Sequence, residues 1–165
     1  SRGLGDVYKR QVKVVDTRKT TPNFRIFEKL AVKAGGGFNH RFGLYDMVMI
    51  KDNHIKASGS LKEAVRRVRL KAGHSVKIEV EVQDLETLKE AVDSKVDIIM
   101  LDNFSSGDVK SLIKLIPEYV ITECSGNITE KNILDYAKAG PDIISLGSLT
   151  HSYSSLDISM EIISE

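Results

Sequence analysis

The stretch Val12-Lys13-Val14-Val15-Asp16-Thr17-Arg18-Lys19-Thr20-Thr21-Pro22 sets the pattern from which the rest of the chain can be interpreted. It begins as a short, mainly β-branched apolar run and continues as a polar and cationic group. Two adjacent cations directly after a buried strand are costly to place unless an anion meets them. Arg18 and Lys19 are therefore the first candidates for a binding site.

The order of a short apolar run followed by a helical pattern recurs along the chain and predicts βα units with a parallel sheet. Strands are predicted at 12–15, 47–50, 76–82, 97–101, 119–123 and 143–146. Helices are predicted at 24–34, 61–72, 84–94, 107–116 and 129–139, the second opened by a capping box of Ser60 and Glu63. The apolar runs do not alternate strictly, as in strands covered on both faces, so both a barrel and a doubly wound sheet fit.

Composition bounds the function. With 165 residues, 41% hydrophobic and 28% charged, the chain can form one globular domain with a real core. A formal net charge of +1 argues against a general nucleic-acid or membrane-surface binder. The single cysteine, Cys124, excludes an internal disulfide framework and favours a reducing compartment, which predicts the cytoplasm. No apolar run reaches the ~20 residues of a membrane span, and no signal peptide opens the sequence.

Residues 1–11 (SRGLGDVYKRQ) show no apolar periodicity. Their last six residues resemble the translation of a transposon sequencing adapter, so we predict a read-through scar. The alternative is an ordinary basic or disordered tail. The predicted α/β barrel catalytic domain is 12–165.

Polar or small residues follow every predicted strand, and parallel α/β folds build their sites from the loops at the carboxyl ends of strands. We expect these residues to share one site. The candidates are the cations Arg18, Lys19, Arg41 and Lys51, the histidines His40 and His54, the carboxylates Glu81 and Asp102, and the small residues Ser125, Gly126, Asn127 and Gly147.

The residue types indicate a ligand with several negative charges, because arginine suits planar carboxylates and lysine suits phosphate. Glu81 and Asp102 are suited to a divalent cation and ribose hydroxyls, and Mg²⁺ is the expected metal. A glycosidase-type acid/base pair is the alternative, which the surrounding cations fit poorly. A zinc site is less favoured with two histidines and no third ligand. The loops at 125–127 and 147–148 suit a phosphate held by backbone N–H groups, or are ordinary turns.

Seven motifs occur in order: DTRKTTP at 16–22, GGGFNHRFGL at 35–44, IKDNH at 50–54, EVEV at 79–82, LDNF at 101–104, SGN at 125–127 and LTHS at 149–152. From about Val12 to its C-terminus the chain resembles the quinolinate phosphoribosyltransferases, the carboxylating nicotinate-nucleotide pyrophosphorylases of NAD biosynthesis. The resemblance implies an open, incomplete TIM-like α/β barrel of about six parallel strands. It also implies Mg²⁺-dependent phosphoribosyl transfer from 5-phosphoribosyl-1-pyrophosphate to quinolinate, with loss of the 2-carboxylate.

The resemblance implies a role for each candidate. The two quinolinate carboxylates are expected on Arg18, His40, Arg41 and Lys51, with His54 counted among the substrate-binding residues. Lys19 is expected to face the phosphates of the donor, and Glu81 and Asp102 its ribose and metal. The 5-phosphate is expected on Ser125, Gly126 and Gly147, with Asn127 beside them. Lys19, Lys51, Glu81 and Asp102 are the expected catalytic residues.

Family members carry a further N-terminal α/β domain, of about a hundred residues, that this sequence lacks. In the family that domain packs on the barrel of a second subunit and adds an arginine to the quinolinate site. We therefore expect a homodimer or higher homo-oligomer of the full-length protein and an inactive 165-residue chain. The alternatives are a paralogous phosphoribosyltransferase of the branch found with molybdate transport, a Schiff-base lyase or aldolase using Lys51, and a degenerate barrel without activity.

Overall fold

Six short apolar runs form strands in the computed structural model, which describes residues 11–163. The strands are β1 (Lys13–Val15), β2 (Val48–Ile50), β3 (Ile78–Val82), β4 (Ile98–Asp102), β5 (Ile121–Ser125) and β6 (Ile143–Ser145). They form one parallel sheet in the order β1-β6-β5-β4-β3-β2. The predicted α/β fold with six parallel strands is confirmed. The predicted scar at 1–11 lies, apart from Gln11, outside the described residues.

The helices cover the outer side of the sheet. They are α1 (Arg25–Ala34), α2 (Asp52–Ser58), α3 (Leu61–Lys71), α4 (Leu85–Asp93), α5 (Ser106–Leu112) with a following 3₁₀ turn (Ile113–Leu115), α6 (Ile133–Ala139) and α7 (Ser148–His151). The five helices expected from the sequence are present; four are shorter than predicted at one or both ends, and the helix expected at 107–116 begins at Ser106 and ends at Leu112. The last begins at Ile133 rather than 129 because Thr129 N donates to Asn132 Oδ1 at 2.7 Å and closes a turn there.

Two helix starts follow the chemistry expected of their caps. Ser60 Oγ accepts from Glu63 N at 3.1 Å, and Asp84 Oδ1 accepts from Thr87 N at 2.7 Å. Only half of the predicted capping box forms, because the Glu63 carboxylate instead pairs with two arginines of the next turn, Arg66 and Arg67.

The two faces of the sheet differ in polarity, and this places the site. One face packs against the helices and forms the core with side chains such as Val80, Leu101 and Ile144, all fully buried. Since side chains alternate along a strand, the residues between them point to the other face. The register aligns polar residues there, with Asp102 opposite Ser125. The inner side of this partial barrel is therefore lined by polar groups.

The sheet does not close because a loop occupies the free edge of β1. Phe38 N donates to Val14 O at 2.9 Å and Asp16 N donates to Phe38 O at 3.1 Å, forming a parallel bridge between Val15 and Phe38. Gly37 permits this approach, since a Cβ there would meet Val32 Cγ1 at 2.9 Å. In the described part of the chain β1 and β2 do not pair, so the predicted open, incomplete barrel is confirmed.

Helix α1 presents its apolar residues outward. Phe24, Phe27 and Leu30 are 56%, 63% and 58% exposed, although their spacing correctly predicted a helix. Lys29, in contrast, is only 2% exposed. The apolar stripe of this helix therefore lacks a cover within residues 11–163, while a lysine takes a core position.

The end of the described chain is also exposed. Residues 153–163 form no helix or strand, and Leu156, Ile158, Met160 and Ile162 alternate with polar residues while remaining at least 83% exposed. Among the described helices, none has the length and apolar character required to cross a bilayer.

Candidate active site

A cavity of about 750 Å³ opens at the carboxyl ends of the strands, where the sequence placed the site. The structure brings together nearly all the predicted residues. Those that line the cavity are Arg18, Lys19, His40, Arg41, Lys51, Glu81, Asp102, Ser125, Gly126, Asn127 and Gly147. His54 does not line it: it lies in the first turn of α2, where its Nδ1 accepts from Lys51 N at 3.0 Å. The sequence pattern missed α2 and with it this capping role.

One wall of the cavity carries cations without carboxylate partners. No carboxylate of the described residues lies within 4.0 Å of a charged nitrogen of Arg18, Lys19 or Arg41. Arg18 Nε is buried with no hydrogen-bond acceptor. Burial, and then the charge of Arg18, lowers the pKa of Arg41. The two guanidinium groups therefore repel each other, and no carboxylate of the described residues pairs directly with either, which favours an anionic ligand between them.

The opposite wall carries two carboxylates on neighbouring strands. The Lys51 ammonium pairs with Glu81, whose side chain is 11% exposed. Asp102 accepts from Ser125 Oγ at 2.5 Å and from Asn103 Nδ2 at 2.7 Å. These bonds fix both carboxylates at the cavity wall. As oxygen donors beside the place for an anionic ligand, Glu81 and Asp102 fit the donor set of Mg²⁺.

The end of β5 forms a tight turn next to Asp102. Gly126 has φ +89° and Asn127 has φ +53°, both in the left-handed region. A Cβ on Gly126 would lie 2.2 Å from Asn103 Oδ1 and 2.7 Å from Asn103 N, so only glycine fits. Asn103 N also donates to Ser125 O at 2.9 Å. The loops after β4 and β5 are thus locked together, with their small residues turned toward the cavity.

A buried cluster lies beneath the cations, and the sequence reasoning did not assign it a function. His40 Nε2 lies 3.4 Å from Glu79 Oε2 and 3.3 Å from Glu123 Oε2, and the two glutamate side chains are 0% and 1% exposed. The carboxylates have no other partner among the described residues. One signal was available: Glu79 and Glu81 lie two apart on β3 and so share the inner face. That Glu123 of β5 lies beside Glu79, however, follows only from the register of the strands.

The protonation of His40 is decided by competing partners. Burial lowers the pKa of His40, but the hydrogen bonds and charges of Glu123 and Glu79 outweigh it and raise the pKa to about 9. The backbone N–H of Arg41 donates to His40 Nδ1 at 2.8 Å, and this bond instead favours a neutral ring, because only an unprotonated Nδ1 can accept it. That bond contributes about 1 kcal/mol, whereas an uncompensated buried carboxylate costs several. The ring is therefore an imidazolium at neutral pH.

Protonation of the ring also sets the charge of the whole cluster. One ligand atom from each of His40, Glu79 and Glu123 lies within 4.8 Å of the others, which is a spacing that a cation can use. A charged ring between the two carboxylates supplies the positive charge itself. Burial further raises the pKa of Glu79.

The single cysteine is not part of the chemistry. Cys124 is fully buried on the helix-facing side of β5. Burial raises the pKa of its thiol to about 12, which removes the thiolate needed for nucleophilic attack. The interpretation of Cys124 as a small buried residue agrees with this placement.

The family model and the most similar relatives all point to one protein family. The family described as "Quinolinate phosphoribosyl transferase, C-terminal domain" matches residues 3–161. A probable nicotinate-nucleotide pyrophosphorylase [carboxylating] of Bacillus subtilis is 53% identical over 152 residues, covering 92% of this chain and 53% of the relative. The like-named protein of Methanocaldococcus jannaschii is 47% identical over 161 residues, covering 93% and 56%.

Solved structures agree with the sequence matches. The crystal structure of NadC from Streptococcus pyogenes superposes with a TM-score of 0.86 at 51% identity, covering 91% of this chain and 53% of that one. The chain therefore spans about half the length of the curated relatives it matches.

Proposed function

The chain belongs to the quinolinate phosphoribosyl transferase family, and from this premise we propose that it forms the catalytic barrel of the carboxylating nicotinate-nucleotide pyrophosphorylase. The proposed reaction joins quinolinate to the ribose of 5-phosphoribosyl-1-pyrophosphate. Its products are nicotinate mononucleotide, pyrophosphate and CO₂, and its place is the de novo synthesis of NAD. Family membership rests on the match over residues 3–161 and on relatives above 40% identity.

One observation carries the proposal: a single cavity holds three cations, Arg18, Lys19 and Arg41, opposite two fixed carboxylates, Glu81 and Asp102. Within residues 11–163 none of the three cations forms an ion pair. The cations suit a planar dicarboxylate and a chain of phosphates. The carboxylates suit ribose hydroxyls and a metal bound to pyrophosphate. No neutral substrate makes use of both walls.

Different residues of the cavity are proposed to bind each of the two substrates. Arg18 and Arg41 hold the carboxylates of quinolinate. Lys51 lies at the border between the quinolinate part and the donor part of the cavity. Lys19, more exposed, meets the phosphates of the donor. The 5-phosphate of the donor lies on the small residues Ser125, Gly126, Asn127 and Gly147. His40 lies beneath the carboxylate side, with Nε2 turned to the buried glutamates.

The proposed chemistry follows from these charges. The pyridine nitrogen supplies an electron pair to C1 of the ribose while the C1–oxygen bond breaks and its electrons leave with pyrophosphate. Glu81 and Asp102 stabilise the positive character that develops on the ribose, and Lys19 stabilises the leaving group. Mg²⁺, when bound, neutralises pyrophosphate charge. The 2-carboxylate then leaves as CO₂, its bonding electrons remain on the ring carbon beside the cationic wall, and a proton replaces it.

The test is formation of nicotinate mononucleotide from the two substrates and Mg²⁺. We expect the 165-residue chain alone to be inactive and a hybrid carrying the N-terminal half of the Bacillus subtilis relative to be active. A hybrid with Lys51→Met is the matched control and should lose turnover. A folded hybrid that binds neither substrate by calorimetry would refute the proposal.

Two features support the proposed partners and location. The exposed apolar stripe of α1, with Phe24, Phe27 and Leu30, supports a homodimer or higher homo-oligomer of the full-length protein, measurable by sedimentation. A cytoplasmic location is proposed from the single buried cysteine. Neither a nucleic acid nor a membrane is proposed as a partner.

A second candidate uses the same cavity for another base. A paralogous phosphoribosyltransferase would keep the residues that bind the phosphoribosyl donor and change those that bind the carboxylates. Competition binding of quinolinate against nicotinate distinguishes this candidate from the quinolinate enzyme. The Schiff-base alternative is disfavoured by the Lys51–Glu81 ion pair, since an ammonium has no electron pair for attack on a carbonyl. Borohydride should therefore trap no substrate on Lys51.

A further inference from the structure

A buried ion pair lies just behind the cationic wall and outside the cavity lining. Lys29 Nζ on α1 lies 2.5 Å from Asp16 Oδ1 at the end of β1, and their side chains are 2% and 0% exposed. A buried ion pair is weak evidence for stability, because apolar residues of similar volume often serve as well. The position of this pair therefore calls for a reason other than stability.

The pair holds the backbone of the loop that carries His40 and Arg41. His40 N donates to Asp16 Oδ1 at 2.9 Å, and Lys29 Nζ donates to His40 O at 3.1 Å. With its amide nitrogen turned inward, Asn39 donates to Asp16 Oδ2 and to Lys29 O, both at 3.0 Å. The polar backbone groups of His40 are thus both fixed by one ion pair, while its ring is fixed from the other side by buried carboxylates.

The same pair connects the two guanidinium groups of the cavity. Asp16 lies two residues before Arg18, and Arg41 directly follows the residue that the pair holds. The guanidinium groups repel each other, as the lowered pKa of Arg41 also indicates. Arg25 also links the two segments, because it donates to Arg18 O at 3.1 Å and to Phe42 O at 3.2 Å. The Asp16–Lys29 pair is the buried link between them, and it holds the backbone of the residue directly before Arg41.

We propose that Asp16 and Lys29 are positioning residues that fix the His40–Arg41 loop against the end of β1 and so hold Arg18 and Arg41 at the spacing that a dicarboxylate requires. The binding part of this inference rests on the proposed function. Neither residue touches the ligand, because neither lines the cavity. Replacing them should affect quinolinate binding more than donor binding. The reason is that other contacts hold the carboxylates of Glu81 and Asp102 and the 125–127 turn.

The experiment compares the hybrid that carries the N-terminal half of the Bacillus subtilis relative with its double variant Asp16→Asn/Lys29→Met, which removes both charges and keeps similar shapes. Each single variant leaves one buried charge uncompensated and is expected to fold poorly. The matched control is Glu63→Gln/Arg66→Met, which removes the exposed ion pairs of Glu63 with Arg66 and Arg67 on α3. Two readouts are used: hydrogen exchange at the His40 amide without ligand, and calorimetric affinities for quinolinate and for 5-phosphoribosyl-1-pyrophosphate with Mg²⁺.

We expect exchange at His40 to accelerate about tenfold or more in the double variant, because its amide loses a charged acceptor. Quinolinate affinity should fall about tenfold and donor affinity less than about twofold. The control should change neither. Unchanged exchange at His40 in a folded double variant would overturn the proposal, as would an equal loss of both affinities. If quinolinate binds to neither protein while exchange accelerates, the positioning of the loop stands and the proposed function fails.

Discussion

Raising the pH should destabilise this protein through one side chain, His40. Its pKa in the fold is about 9, above the ordinary value of 6.5, because Glu123 and Glu79 hold the charged ring against the cost of burial. A group with a raised pKa stabilises the fold fully below its unfolded value, and the stabilisation is lost as the pH rises through the folded value. Stability should therefore decrease between pH 6.5 and 9.

The size of the effect follows from the shift. Each pKa unit corresponds to about 1.4 kcal/mol, so the difference between 6.5 and about 9 amounts to about 3 kcal/mol. A domain of this size is stable by about 5–15 kcal/mol, so the loss is measurable. The other three histidines, His54, His74 and His151, are exposed.

Urea denaturation at a series of pH values, followed by circular dichroism, measures this loss. Glu123→Gln is the matched variant, because it keeps the ring and removes one of its two carboxylates. Its stability should change less over the same pH range than that of the parent chain. A parent chain whose unfolding free energy is flat between pH 6.5 and 9 would falsify the imidazolium assignment and support a neutral ring accepting from the Arg41 amide.

Three further predictions follow from single sites. Gly126→Ala should lower stability by about 2–3 kcal/mol by thermal denaturation and weaken donor binding, since a Cβ collides with Asn103; unchanged affinity would contradict the assigned turn. In the active hybrid, Arg18→Ala should mainly raise the KM for quinolinate, and Lys19→Ala should mainly raise the KM for the donor. Identical effects on both substrates would exclude these separate roles. Ser60→Ala should cost about 1 kcal/mol in urea denaturation, and no loss would mean that its cap bond is not used.

The sequence predicted the fold because its signals were local and mutually consistent. Apolar runs alternate with helical patterns, and parallel strands bring their carboxyl ends to one edge, so distant residues such as Arg18 and Asp102 were expected in one site. Helix α2 was missed because its cap is unusual: the ring of His54 accepts from the Lys51 amide, and neither residue is a common cap.

Other features depended on distant partners and could not be predicted locally. Glu79 and Glu123 are charged residues inside strands, and only the register of three strands and the loop of His40 shows that they form a cluster. The partner of Lys29 could not be predicted from its own helix, because its acceptor, Asp16, lies 13 positions away. For α1 the apolar period indicated a helix correctly but carries no information about what covers it.

The position of β1 at one end of the sheet has a consequence for folding. Strands β2 to β6 lie beside their neighbours in sequence, whereas β1 pairs with β6, joining Lys13 to Ile143. The loop after β1 is tied to the same distant region, because Thr150 Oγ1 donates to Lys19 O at 2.6 Å. Contacts of such long sequence separation carry a loop-closure entropy and are associated with slow folding. Arg18 and Lys19 are therefore held in the site by contacts between the two ends of the fold.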